Sequence, residues 1–176
     1  MAKDKRYALN KNKYLLEPEV TELKRILGNY ENDNPRDCNL IWLALLTGAR
    51  AQEALNVRKQ DLNEFDETVF LTGIKGSNDR EIPVPSWLFK KLAKIQVGED
   101  GKLFPISYNR FRQIWDMYRP IKKKLHALRH TFAITLYKKT KDLRLVQVAL
   151  GHRNITNTMI YADYAYSQDE LRKLIL

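Results

Sequence analysis

Seven consecutive apolar residues, Leu40 to Leu46, constrain this chain more than any other stretch. A helix over them carries apolar side chains nearly all the way round, so it has no face fit for water and must be surrounded by other elements. The run is also far too short to cross a bilayer. It therefore predicts a buried central helix, with Asp37 as a cap before it and Gly48 closing it. A chain of 176 residues is long enough to build one compact domain around such a helix.

The flanking patterns supply the surrounding layers. Pro18 suits the first turn of a helix whose apolar stripe is Val20, Leu23 and Leu27, ending at Gly28 and Asn29. Ala51 to Leu55 reads as a further helical turn. Thr68 to Thr72 and Arg80 to Val84 are short and rich in strand formers, and the seven residues Gly73 to Asp79 between them have turn chemistry. They predict an antiparallel hairpin with Pro83 at an edge or strand end. Helices resume with Ser86 capping Trp87 to Ile95, and Ser107 capping a helix with Phe111, Ile114, Trp115 and Tyr118 on one face. Leu125, Leu128, Phe132, Thr135 and Leu136 share a face of the next, followed by Asp142 to Leu150, a short helix carrying Tyr161, and an amphipathic tail from Gln168 to Leu176. The fold class expected is mainly α (α+β), a helical domain with one small antiparallel β-sheet. Residues 1–14 are expected to be a flexible basic lead-in and residues 15–176 the domain itself.

A formal net charge of +10 favours a polyanionic partner. Charge alone leaves DNA, RNA and an anionic membrane surface open, but no RNA-binding motif or long basic amphipathic helix is found. The lone Cys38 excludes an internal disulfide and fits a reducing compartment. With no apolar signal core in the first fourteen residues, the expectation is a soluble cytoplasmic protein with no membrane partner.

The chemistry-bearing residues fall into separated clusters. Arg50 follows the glycine that closes the central helix, where a rigid element can aim a guanidinium at a phosphate, and Glu53 is spaced to orient it. If His126 to His130 is helical, His126, Arg129, His130, Ala133 and Tyr137 lie opposite the apolar stripe, which puts imidazole beside guanidinium. Lys75 occupies the hairpin tip, where a flexible ammonium can reach a substrate and donate a proton; Arg80 competes for that role. His152 follows the glycine closing another helix, and Tyr161 comes nine residues later. A phenol is a poor nucleophile at neutral pH and needs such a field of cations. Taken singly, each residue has a plainer explanation: a solvated arginine, a turn lysine, a half-buried tyrosine.

The set in this order resembles the tyrosine site-specific recombinases of the phage-integrase class. Thr47-Gly48-Ala49-Arg50-Ala51-Gln52-Glu53-Ala54-Leu55 is similar to their first arginine box. His126-Ala127-Leu128-Arg129-His130-Thr131-Phe132-Ala133 is similar to the second, Leu150-Gly151-His152-Arg153-Asn154 to the third, and Thr158-Met159-Ile160-Tyr161 to the nucleophile segment. Thr72-Gly73-Ile74-Lys75-Gly76 resembles the hairpin holding the family's lysine. The resemblance implies a DNA strand breaking and rejoining enzyme with catalytic Arg50, Lys75, His126, Arg129, His152 and Tyr161, supported from behind by Glu53 and His130. It implies a 3′-phosphotyrosine intermediate on Tyr161 rather than Tyr164, and no ATP, metal or cofactor. The implied partners are double-stranded recombination sites and further copies of the chain, as a tetramer on paired sites from a protein that can be monomeric without DNA. Two departures stand out. Only a short lead-in precedes the region, where family members usually carry a DNA-clamping helical domain, so either a fragment or a minimal recombinase is expected. Leu16 and Glu17 also stand where a Thr or Ser cap is common. The rival classes are a type IB topoisomerase, with similar chemistry, and a non-catalytic DNA-binding regulator on the same scaffold.

Overall fold

A computed structural model describes residues 10–74, 76–162, 172, 173, 175 and 176. At its centre lies α2 (Pro35–Thr47), in which Cys38 through Leu45 are all buried. Its start is three residues earlier than a cap at Asp37 predicts. Pro35 takes the first helical position, where a missing N–H costs nothing, and Asn34 precedes it without a side-chain cap. At about 1.5 Å per residue, α2 runs roughly 20 Å through the domain. It ends at Gly48 in the left-handed conformation, φ 64°.

Around it pack α1 (Glu17–Tyr30), α3 (Ala51–Asn56), α4 (Ser86–Ala93), α5 (Tyr108–Tyr118) and α6 (Ala127–Thr140). Helix α7 (Leu143–Leu150) and the single turn α8 (Thr156–Met159) pack behind α6. Helix α1 continues through Gly28 and Asn29 to Tyr30, because one glycine in a helix whose apolar stripe is buried is a small local cost. The missing Thr or Ser cap is replaced by Glu19, whose carboxylate accepts the Leu16 N–H at 2.8 Å. Ser86 is the first residue of α4 rather than its cap. Ser107 and Asp142 do cap α5 and α7, accepting from the backbone of Arg110 and Leu145.

The sheet has three antiparallel strands in the order β1 (Leu62–Asn63), β2 (Thr68–Leu71) and β3 (Arg80–Pro83). The two-residue β1 has no sequence periodicity to announce it. In β2, Val69 and Leu71 point inward while Phe70 faces solvent. In β3 the same alternation turns Arg80 and Ile82 inward, with Pro83 ending an edge strand.

The main core joins α1 to α5 with the sheet, and a second cluster of Tyr14, Ala133, Ile134, Val146, Leu150 and Tyr161 fills the space between α6 and α7. Tyr14, the last residue of the expected lead-in, is thus packed. The Leu15 N–H donates to Thr131 Oγ1 at 2.8 Å. Lys123 is buried and donates to the Tyr14 carbonyl at 2.8 Å and to Glu19, so the Lys122 to Lys124 run is no uniform DNA-contact stripe. Its middle lysine ties residues 14–19 to the rest of the domain.

Gly151, at φ 69°, closes α7 against the hairpin: the Asn78 N–H donates to the Gly151 carbonyl at 2.8 Å. A Cβ at Gly151 would stand 2.6 Å from the Asn78 carbonyl oxygen. Gly151→Ala is therefore expected to cost about 2 kcal/mol or more from left-handed backbone and overpacking together. Denaturant unfolding checks this, and an unchanged midpoint would contradict it.

Candidate active site

The site forms where two helix C-termini meet the start of α6. Arg129, 2% exposed at its side chain, donates to the Gly48 carbonyl at 2.7 Å and to the Leu150 carbonyl at 2.8 Å. These are terminal carbonyls of α2 and α7, which lack partners within their own helices and lie at the negative ends of the helix dipoles. One guanidinium thus ties two helices together. The left-handed glycines that end both helices turn the chain away, and their missing side chains leave room for the Phe132 ring at Gly48 and for Asn78 and Arg80 at Gly151.

Beneath it sits Glu53, whose carboxylate is fully buried. It accepts the Arg50 N–H and Arg80 Nη2–H at 2.8 and 2.7 Å, contacts the Arg50 guanidinium at 3.3 Å, and lies 3.8 Å from Arg129. Burial alone would raise its pKa. The Arg80 hydrogen bond and charge, the Arg50 N–H and the Arg129 charge outweigh that and hold it below the ordinary carboxylate value. Arg80 also donates from Nε to the Ala149 carbonyl at 2.8 Å. The competitor for the role of Lys75 is thus a buried partner of Glu53, because strand alternation points it into the domain. Lys75 itself lies outside the described residues. Its neighbours Ile74 and Ser77 lie beside Arg50: Ser77 accepts from the Arg50 guanidinium, and Ile74 lines the same cavity.

Arg50 caps the start of α3 and keeps about a quarter of its side chain exposed. It borders a cavity of about 430 Å³ that His126, Gln52 and Tyr108 also line. The face of α6 opposite the apolar stripe does hold imidazole beside guanidinium, and the plainer alternative of a solvated face does not apply to it. Arg129, His130 and Ala133 are buried against the second core cluster, while His126 stands exposed at the cap of α6. The His126 and His130 rings meet edge to face, 4.6 Å apart. His152 Nδ1 is 2.9 Å from Thr158 Oγ1, and its backbone bridges to Ser77.

Tyr161 follows α8 by two residues rather than lying within it, and is 1% exposed. Its hydroxyl is 2.9 Å from His130 Nδ1. The structure thus brings Arg50, Glu53, His126, Arg129, His130, His152 and Tyr161 into one neighbourhood, with Arg50 and His126 at its mouth and Tyr161 withdrawn. Sequence reasoning gave no role to Ser77 or Thr158. Both are hydroxyls within motifs it quoted or turns it described, and only their spatial partners distinguish them. Tyr164, Tyr166 and most of the Gln168 to Leu176 tail lie outside the described residues.

Desolvation, followed by the charges of Arg129 and Arg50, pushes His126 and His152 down to about 4. Burial, then His126 and Arg129, pushes His130 to about 3. Burial and the neighbouring arginines lower Arg129 to about 9, which leaves it cationic at neutral pH. The histidines are therefore neutral at pH 7. An unfolded histidine binds its proton near 6.5, so acid favours the unfolded chain as pH falls from about 6.5 toward 4. Glu53, with its depressed pKa, acts in the same direction once pH drops below the ordinary carboxylate value. The melting temperature should fall steadily from pH 6.5 to pH 4; a flat profile would contradict the lowered histidine pKa values and the burial of His130.

The family model described as "Phage integrase family" matches residues 16–168. The chain belongs to the phage integrase family. A tyrosine recombinase of Pseudothermotoga lettingae is 31% identical over 170 residues, covering 88% of this chain and 59% of that protein. Tyrosine recombinase XerH of Campylobacter jejuni is 31% identical, over 81% of this chain and 47% of its own length. This phage integrase family member thus spans about half the length of the curated relatives it matches. The catalytic domain of bacteriophage HP1 integrase superposes with TM-score 0.69 at 28% identity, covering 92% of this chain and 94% of that one. XerH bound to its palindromic difH substrate, a post-cleavage complex, superposes with TM-score 0.74 at 23% identity and shows the same fold over 94% of this chain. The mainly helical class with one small antiparallel sheet is the class of these phage-integrase-family structures.

Proposed function

We propose that this chain is the catalytic domain of a site-specific DNA recombinase, cleaving and rejoining DNA through a 3′-phosphotyrosine link to Tyr161. The observation that carries this reading is the cluster of Arg50, Arg129, His126 and His152 around a carboxylate-braced core, with a tyrosine hydroxyl at its inner edge. The division into a lead-in over 1–14 and a catalytic domain over 15–176 fits the family match over 16–168. The related XerH was captured with its substrate both before and after cleavage, which supports double-stranded DNA as the partner here.

Each residue has a role that its position supports. Arg50, accessible and aimed by Glu53 and Ser77, binds a non-bridging phosphate oxygen. Arg129 keeps three of its five N–H donors beyond the two spent on helix carbonyls, and serves the second oxygen once the site opens. His126 and His152, neutral and next to these cations, position the phosphate and assist proton transfer. Lys75 protonates the departing 5′-oxygen. Tyr161 attacks phosphorus, the 5′-oxygen leaves, and the 5′-hydroxyl of a partner strand reverses the step. One phosphodiester is exchanged for another, so no ATP is consumed. Fixed cations stabilise the pentacoordinate phosphorane. Glu53 holds the guanidinium groups from below. The working assembly is a tetramer on paired sites, formed from a protein that is cytoplasmic; no helix among the described residues is long and apolar enough to cross a membrane.

The test uses nicked duplexes from DNA flanking the chain's own gene, so that the strand beyond the cut diffuses away. A denaturant-resistant protein–DNA adduct, formed without ATP and in chelator, is expected. DNA binding with no adduct would instead favour the regulator. Relaxation of supercoiled DNA without pairing of sites would favour the topoisomerase. Binding should weaken steeply with salt, by a factor of roughly 10³ or more between 50 and 200 mM if about six phosphates are contacted. Salt-insensitive binding would contradict a contact surface built on lysine and arginine.

A further inference from the structure

Every atom that touches the Tyr161 hydroxyl bears on when it reacts, and His130, which the motif resemblance gives only an unspecified supporting place, is one of them. His130 is 5% exposed, and its Nδ1 lies 2.9 Å from the Tyr161 oxygen. The two rings are tilted, with centroids 5.8 Å apart, and the His130 ring also meets His126 edge to face. His126 stands at the mouth of the site and His130 one turn further along α6, so the histidines form a short bridge from the phosphate site to the buried nucleophile.

Two roles fit a histidine in that place: it takes the phenol's proton, or it holds the hydroxyl. Magnitude decides between them. An ordinary phenol ionises near 10, while burial, His126 and Arg129 push His130 to about 3. A group held that far below an ordinary phenol takes its proton poorly, so His130 in this geometry is a poor base. It is well suited to hold, since a neutral imidazole can accept the phenolic hydrogen bond without proton transfer. The environment agrees. Tyr161 shares its cluster with Tyr14, Ala133, Ile134, Val146 and Leu150, a setting that favours a protonated, unreactive phenol.

We propose that His130 is the positioning residue of the nucleophile: it retains the Tyr161 hydroxyl inside the domain until DNA binds, and it passes the arrival of a phosphate at His126 to the tyrosine through the edge-to-face ring contact. This rests on Tyr161 being the nucleophile. A phosphate at the mouth draws His126 toward it, which loosens the edge-to-face contact and with it the grip on Tyr161. The reaction then starts only on a loaded site.

Nitration of the intact protein without DNA, read peptide by peptide in a mass spectrometer, tests the holding role. Tyr108, 48% exposed, reports the reagent, and Tyr118, 4% exposed, reports the fold. In the wild type, Tyr161 should be protected as Tyr118 is. His130→Phe keeps bulk but cannot bond the hydroxyl, and should raise Tyr161 nitration about fivefold, the worth of one ordinary hydrogen bond. His130→Asn places an amide near the Nδ1 position and should restore protection. With nicked DNA, His130→Phe should form adduct faster than wild type at unchanged DNA affinity. Equal protection of Tyr161 in wild type and His130→Phe would overturn the proposal, as would nitration of Tyr118 alongside Tyr161, which marks a general loosening. Failure of the wild type to form any adduct would sink the nucleophile reading instead, and the nitration results would be independent of it.

Discussion

Tyr161→Phe is expected to form no covalent DNA adduct while binding DNA within about twofold of the wild type. The substitution removes one oxygen and leaves the ring in its pocket between α6 and α7. That oxygen is hydrogen-bonded to His130 Nδ1, and losing this bond costs about 1 kcal/mol of stability. Affinity is unaffected because the side chain is 1% exposed and adds nothing to the surface that meets the phosphates. If Tyr161 is the nucleophile, the chemistry disappears with its oxygen: among the described residues the nearby Thr158 hydroxyl is engaged with His152. A gel under denaturing conditions and a binding isotherm measure the two halves. A variant that loses binding as well would show that the ring, not the oxygen, is the important part.

Glu53→Ala should be the most disruptive single change to the fold of the site. Arg80 and Arg129 are at most 4% exposed at their side chains, and Glu53 is the carboxylate between them. Its loss leaves two buried guanidinium groups and Arg50 facing one another without a counter-charge. Breaking a buried ion pair in this way costs about 3–5 kcal/mol, which in a domain of this size lowers the melting temperature by roughly 10 °C. Adduct formation should fall with it even below the melting range, because Arg50 loses the contact that aims it. Glu53→Gln keeps the shape and two acceptor lone pairs, so it should recover part of the stability and little of the rate. An alanine variant as stable as the wild type would mean that the arginines are solvated rather than braced.

The legible and illegible parts of this molecule divide along physical lines. Leu40 to Leu46 declared a buried helix because an element with no polar face has one place to go, and Gly48 marked its end because the left-handed turn suits glycine. Ser107 and Asp142 were readable as caps because their bonds are local. The clustering of Arg50, Arg129, His126 and His152 was accessible through the order of the motifs, not through any one of them. What stayed hidden depends on distant partners. The role of Arg80 follows from a carboxylate 27 residues away, that of Lys123 from a backbone carbonyl 109 residues away. Nothing in the local pattern of β1 announces a two-residue strand. The withdrawal of Tyr161 into the second cluster is likewise a product of packing, since the family resemblance marks the residue as the expected nucleophile and says nothing of where its hydroxyl rests.

The most direct test of the account is the identity of the linked residue. The adduct formed on nicked DNA, digested with protease and nuclease and sequenced by mass spectrometry, should carry its nucleotide remnant on Tyr161. A remnant on Tyr164, or on any residue other than Tyr161, would contradict the assignment on which the roles of His130, His152 and the arginine cluster depend.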